Sequence, residues 1–191
     1  MRVERFDIPG LILVTPDIFR DGRGFFLETF QRDRYEEAGI PGSLVQDNLS
    51  FSRRGVLRGL HYQWPRPQGK LVQCLRGEVL DVVADIRRGS PAFGTWSSFV
   101  LTGETAGQLY IPAGCAHGFL VLSDDAHFVY KCTDFYTPET ERGIAWNDPD
   151  LAIDWSLKGT LPLLSDKDLL LPTLQSISLE HLPVYQELSK P

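Results

Sequence analysis

The sequence predicts an all-β fold, a barrel or jelly roll, and three observations carry that prediction. Ten short strand-like runs follow one another, turn residues separate them at close spacing, and helical patterning is confined to two brief stretches. The runs are LILV (11–14), GFFLET (24–29), LVQDNLSFS (44–52), GVLRGLHYQ (55–63), KLVQCL (70–75), EVLDVVADI (78–86), WSSFVL (96–101), QLYI (108–111), GFLVL (118–122) and HFVYKCTD (127–134). Between them stand Gly, Pro, Asp and Ser, which end strands and form turns. Residues 31–38 read as a short charged helix stopped by Gly39 and Pro41. Ser165-Asp-Lys-Asp has the character of a helix cap and predicts a second turn or two there. The tail after Pro172 mixes scattered apolar residues with prolines and receives no element.

Composition narrows the function classes. A chain of 191 residues with this apolar content supports one sizeable core, so residues 1–191 are read as one domain. A formal charge of −6 argues against nucleic acid or an anionic membrane as the main partner, since both need a positive field. Arg53–Arg54, Arg87–Arg88 and Arg20 with Arg23 are local basic spots, read as solvated surface or as phosphate grips. The three cysteines, Cys74, Cys115 and Cys132, form no framework and predict buried thiols in a reducing compartment. The N-terminal segment is charged where a signal peptide needs an apolar run, so a cytoplasmic location is expected.

Two polar clusters sit inside strand-like sequence. RGVLRGLHYQWPRPQGK (54–70) holds Arg58, His61, Gln63 and Lys70, and PAGCAHGFLVLSDDAHFVYKCTDFY (112–136) holds His117 and Tyr130. Ionisable groups in core-facing segments are costly unless paired or used, so these clusters predict proton-transfer chemistry on an anionic small molecule. Alternation puts Gln46, Asn48 and Ser50 on one strand face and Val45, Leu49 and Phe51 on the other. Phe128, Tyr130 and Cys132 share a face, which points Tyr130 inward, as a core aromatic or as a site residue. Arg58 and His61 fall on opposite faces of a regular strand, and a bulge at Gly59 is the device that turns both the same way.

PAGCAH matches the P-x-G-x-x-H pattern of the second motif of the cupin superfamily. In the first motif Gln63 replaces one expected histidine and no Glu follows, so the ligand count falls short of a catalytic metal site. A metal-dependent cupin enzyme built on His61 and His117 stays as a rival reading.

Further blocks carry a closer resemblance. GVLRGLHYQ, GKLVQCLRGEVLDVVADIRRGSPAFGTW, LYIPAGCAHGFLVLSDDAHFVYKCTDFY, GIAWNDPDLAIDW and LLSDKD, in that order up to Asp168, resemble the dTDP-4-dehydrorhamnose 3,5-epimerase family. The resemblance implies a cupin-type jelly roll (a double-stranded β-helix), a homodimer, and a dTDP-4-keto-6-deoxyhexose substrate, with no metal or organic cofactor. It implies inversion of two carbons flanking a ketone, with His61 as base, Asp168 as its carboxylate partner, Tyr130 as acid and Lys70 beside the ketone oxygen. Histidine suits the base because it titrates near neutrality. The substrate-binding positions implied are Arg23, Glu28, Gln46, Asn48, Arg58, His117, Glu141 and Lys167, with Arg23 and Glu28 reaching across the dimer. Phe25, Tyr136 and Trp146 are candidates for stacking on the base or lining the pocket. Inversion at one carbon only, and a non-catalytic sugar-nucleotide binder, are the remaining alternatives.

Overall fold

The computed structural model describes residues 1–187; residues 188–191, the end of the tail, lie outside the described residues. In chain order the strands are β1 (Arg2–Arg5), β2 (Ile12–Thr15), β3 (Phe19–Asp21), β4 (Gly24–Phe26), β5 (Gln46–Arg53), β6 (Leu57–Gln63), β7 (Lys70–Arg76), β8 (Glu78–Ala84), β9 (Trp96–Thr102), β10 (Gln108–Ile111), β11 (Ala116–Val121), β12 (Asp125–Cys132) and β13 (Glu141–Gly143). All ten expected strands form, with ends displaced by up to three residues. The three additional ones, β1, β3 and β13, are four residues or shorter and carry too little alternation to be read alone.

The strands assemble into a six-stranded sheet, ordered β1-β2-β10-β7-β12-β5, and a five-stranded sheet, ordered β13-β6-β11-β8-β9. The hairpin β3–β4 stands apart from both. Neighbours in sequence are largely not neighbours in a sheet, because the chain crosses repeatedly between the two layers. Facing side chains such as Val72, Cys74, Val79, Val83, Phe119, Val121 and Phe128 close into one core. This is the cupin-type jelly roll that the resemblance implied, and its packed layers bury the apolar half of each alternating strand.

Each sheet needs a cover on its outer face. Helix α1 (Arg32–Glu37) begins where the Gln31 side chain accepts the Arg34 N–H at 2.8 Å. It drives Tyr35 into a third cluster with Ile12, Val14, Ile40, Leu71 and Tyr110. On the five-stranded sheet, Leu80, Val82, Leu120 and Leu60 are covered by Ile144, Leu151, Trp155, Leu174 and Leu182. The unassigned tail is therefore cladding: short 3-10 turns that seal the sheet with Leu174 and Leu182. Trp146 packs against this same outer cluster, so its expected role in stacking on a ligand is corrected to a structural one. Arg87 is also corrected: it is buried and paired with Asp85 at 2.6 Å, not solvated. The three cysteines are free and buried, and no helix among the described residues is long and apolar enough to cross a membrane.

The expected irregularity at Gly59 is present. His117 pairs with His61 and Phe119 with Arg58, so the single residue Gly118 on β11 faces both Gly59 and Leu60 on β6. The extra residue resets the alternation and lets Arg58 and His61 line the same cavity. Only glycine fits here. Gly59 has φ +119°, and a Cβ on it would stand 2.6 Å from Gly118 Cα and 2.7 Å from the His117 carbonyl oxygen.

Candidate active site

A cavity of about 460 Å³ opens between the sheets, a size suited to a small organic ligand. One wall is the five-stranded sheet, with Arg58 and His61 on β6 and His117 on β11. The opposite wall is the six-stranded sheet, with Gln46, Asn48 and Ser50 on β5, Lys70 on β7, and Phe128, Tyr130 and Cys132 on β12. The two strand-face readings hold. Gln46, Asn48 and Ser50 turn into the cavity, while Val45, Leu49 and Phe51 are exposed on the outer face. Strand β5 is thus polar inside and apolar outside, the reverse of a normal edge strand.

Helix α2 (Asp166–Leu169) closes one side of the mouth. Ser165 caps it by accepting the Asp168 N–H at 3.1 Å, which fixes where the Asp168 carboxylate hangs. His61 Nε2–H donates to Asp168 Oδ1 at 2.6 Å. Asp168 is 4% exposed and His61 27%. Burial alone pushes the Asp168 carboxyl up, but the bond and charge of His61, with Ser165 and the Gly59 N–H, hold it below the usual range. An ionised carboxylate accepts only, so the His61 proton sits on Nε2 and Nδ1 is left as a lone-pair base. Nδ1 makes no hydrogen bond among the described residues.

Across the cavity, burial pushes the Tyr130 phenol up, with the Cys132 thiol adding to this, so the phenol keeps its proton at neutral pH. The Lys70 ammonium lies 5.9 Å from the Tyr130 ring centroid. Desolvation pushes Lys70 down, opposed by Cys132, Glu141 and Asp81. At the rim, Tyr136 donates to Glu141 Oε2 at 2.6 Å and Lys167 pairs with the same oxygen. Burial raises Glu141, yet these two bonds hold it below its ordinary value, while the Tyr136 phenol is pushed up to about 12 by its hydrogen bond to Glu141.

Ten of the twelve expected site residues therefore meet at one cavity. Arg23 and Glu28 do not. Arg23 lies on the β3–β4 hairpin, paired with Asp21 at 2.6 Å, and Glu28 pairs with Arg34 at 2.6 Å. Phe25 sits on the same hairpin, exposed, whereas Tyr136 lines the cavity. Of two further contributors, the sequence reading placed one without its role and missed the other. Gln63 was read as a member of the first polar cluster and as a missing metal ligand, with no structural part assigned to it. Its amide in fact pins the rim, donating to the Arg66 and Phe135 carbonyls at 2.5 and 3.3 Å and accepting from the Thr137 N–H at 2.9 Å. Asp81, 0% exposed, accepts from His117 Nε2 at 2.8 Å. Its signal was a carboxylate in the middle of the apolar run EVLDVVA. As for a metal, among the described residues no three His, Cys, Asp or Glu side chains gather in a group able to hold one.

Comparison with known proteins agrees with this geometry. The family model for dTDP-4-dehydrorhamnose 3,5-epimerase matches residues 5–176. A dTDP-4-dehydrorhamnose 3,5-epimerase of Pseudomonas aeruginosa is 57% identical over 169 residues, 88% of this chain and 93% of the relative. The crystal structure of a dTDP-6-deoxy-D-glucose-3,5-epimerase of Legionella pneumophila, in complex with dTDP-4-keto-L-rhamnose, superposes with a TM-score of 0.93. It is 53% identical, with 97% of this chain and 98% of that one covered. A 3'-monoepimerase of Streptomyces bikiniensis, in complex with dTDP-quinovose, has a TM-score of 0.88 at 40% identity, covering 94% and 92%. With most of the chain matched in sequence and in backbone, the protein belongs to the dTDP-4-dehydrorhamnose 3,5-epimerase family.

Proposed function

We propose that this chain epimerises dTDP-4-dehydro-6-deoxy-D-glucose at carbons 3 and 5 to dTDP-4-dehydro-L-rhamnose, using only its own side chains. One observation carries the reading: His61 and Tyr130 belong to different sheets and face each other across one cavity. Inversion at carbon requires a base on one face of the sugar ring and an acid on the other, which is what two opposed walls supply.

The ketone at carbon 4 makes the neighbouring C–H bonds acidic. His61 Nδ1 takes the proton, and the C–H electron pair moves into the ring to form an enolate with its charge on the carbon 4 oxygen. Asp168 holds the imidazole in orientation and stabilises the imidazolium formed. The Lys70 ammonium lies where that charge develops, and a donor so placed is worth about 3–4 kcal/mol in the transition state. Tyr130 O–H then gives its proton to the carbon from the other face, and solvent restores both groups before the second carbon reacts. Arg58, with its Nε bonded to Ser52 at 3.0 Å, brings guanidinium charge to the cavity. Gln46, Asn48, Glu141, Lys167 and Tyr136 form the mouth, where the nucleotide half is held.

Arg23 and Glu28 act on a partner's cavity in a homodimer. The support is surface chemistry: the hairpin exposes Phe19, Phe25 and Phe26, and the outer face of β5 exposes Leu49 and Phe51. Large apolar side chains grouped on a surface mark an interface.

The similarity to a 3'-monoepimerase favours a second reading, inversion at carbon 3 alone. Incubating the keto sugar nucleotide with enzyme in deuterated water separates the two. Label at both carbons is expected, label at carbon 3 alone supports the second reading, and no label rejects proton abstraction.

A further inference from the structure

The cavity holds two histidine–carboxylate pairs, and the mechanism above uses one. The other joins His117 on β11 to Asp81 on β8. The two imidazoles are direct cross-strand partners, His117 opposite His61, so both rings stand on the same wall. Asp81 has alternation in common with Val79 and Val83, which puts its carboxylate inside the barrel beneath His117. Its Oδ2 takes the imidazole, while Oδ1 is buried with no partner among the described residues. A half-satisfied carboxylate in an apolar core weakens the fold, so a purely structural role is a poor account of it.

We propose that Asp81 is a positioning residue: it locks His117, a substrate-binding position already implied by the family resemblance, as the Nε2–H tautomer, so that this contact is made by a bare Nδ1 accepting from a hydroxyl of the sugar ring. The carboxylate is acceptor-only, so the ring nitrogen facing it carries the proton and the other does not. Phe128, whose ring lies 20° from parallel to His117 with centroids 6.2 Å apart, holds the plane of the imidazole. Around it, Lys70 and Arg58 are cations, Asp168 Oδ1 and Asp81 Oδ2 are taken by imidazoles, and Glu141 Oε2 is taken by Lys167 and Tyr136, so a bare His117 Nδ1 adds a second acceptor to that of His61 on the same wall. A sugar carrying hydroxyls next to its ketone needs at least one acceptor to fix the ring for both inversions. His117 is only 8% exposed, against 27% for His61, which suits a fixed contact more than a proton carrier exchanging with solvent.

This inference rests on the reaction proposed above, and two measurements keep the failures apart. Nitrogen-15 NMR of the histidine-labelled, ligand-free protein reads the tautomer without any turnover. Neutral His117 is expected with its proton on Nε2; a proton on Nδ1 overturns the proposal. The second measurement follows deuterium entry from solvent into dTDP-4-dehydro-6-deoxy-D-glucose for wild type and Asp81→Asn. An Asn amide can turn its NH2 toward His117 and impose the other tautomer. Exchange at carbons 3 and 5 is expected to slow together by about 10- to 100-fold, with the NMR signature of His117 reversed. Unchanged exchange overturns the proposal, and so does loss at one carbon alone, because that would make His117 a base. If wild type itself exchanges nothing, the reaction assignment fails, and the NMR result still decides the tautomer.

Discussion

The two histidine–carboxylate pairs are built from the same groups, yet they sit in different mechanical settings. Asp168 hangs from a four-residue helix at the cavity mouth, its backbone N–H capped by Ser165, and its histidine is partly open. Asp81 is set in the middle of a strand hydrogen-bonded on both sides, to β9 and β11, and its histidine is nearly sealed. The pair near the mouth can trade protons with solvent between turnovers. The pair in the sheet can only hold a direction. The same chemistry serves as base or as bracket according to access.

The largest effect expected from breaking this contrast comes at His61. His61→Ala should lower exchange at both carbons by about 10²- to 10⁴-fold, the scale of a general base, with dTDP affinity by calorimetry nearly intact. Tyr130→Phe should leave proton loss less affected than inversion, since the acid acts after the enolate forms. A variant inverting at the wild-type rate removes Tyr130 from the mechanism. Next in size, Lys70→Met should cut kcat by about 10²- to 10³-fold. Because burial disfavours the charged ammonium, the same change should raise the unfolding free energy by about 1 kcal/mol, read as a higher melting temperature. Lower activity with a lower melting point would contradict the view of Lys70 as a charge kept for catalysis at the expense of stability.

The smallest effect concerns acid. Asp168 and Glu141 are both held below their ordinary values, so each contributes stability that is present above the unfolded-chain pKa. That contribution disappears as pH falls through the lower folded values. Urea unfolding followed from neutral pH to below pH 4 should show Asp168→Asn losing less stability on acidification than wild type. An identical loss in both would mean that the His61–Asp168 pair contributes nothing to the folded state.

How much of this was legible in the chain varies with how local the cause is. Alternation in LVQDNLSFS placed Gln46 and Asn48 together, and the parity conflict between Arg58 and His61 located the bulge at Gly59. The helix cap at Ser165 was readable for the same reason, since a cap acts over three residues. The Asp168 partnership with His61 spans 107 residues and came only through resemblance. Asp81 with His117 spans 36 and was missed, although an Asp within an apolar strand was a usable warning. The outcome for β5 inverted ordinary expectation, because its inner face lines a wet cavity and its outer face is left apolar.

By itself, then, the sequence determined where ten strand runs lie to within about three residues, which side chains share a face, and which residue types could move a proton. Those properties depend on steric and hydrophobic preferences acting over a few neighbouring residues. The pairing of sheets decided which faces look at one another: His61 against Tyr130, and His117 over Asp81. No local preference encodes that choice. It is settled when two layers close around a common core and residues far apart along the chain are buried together.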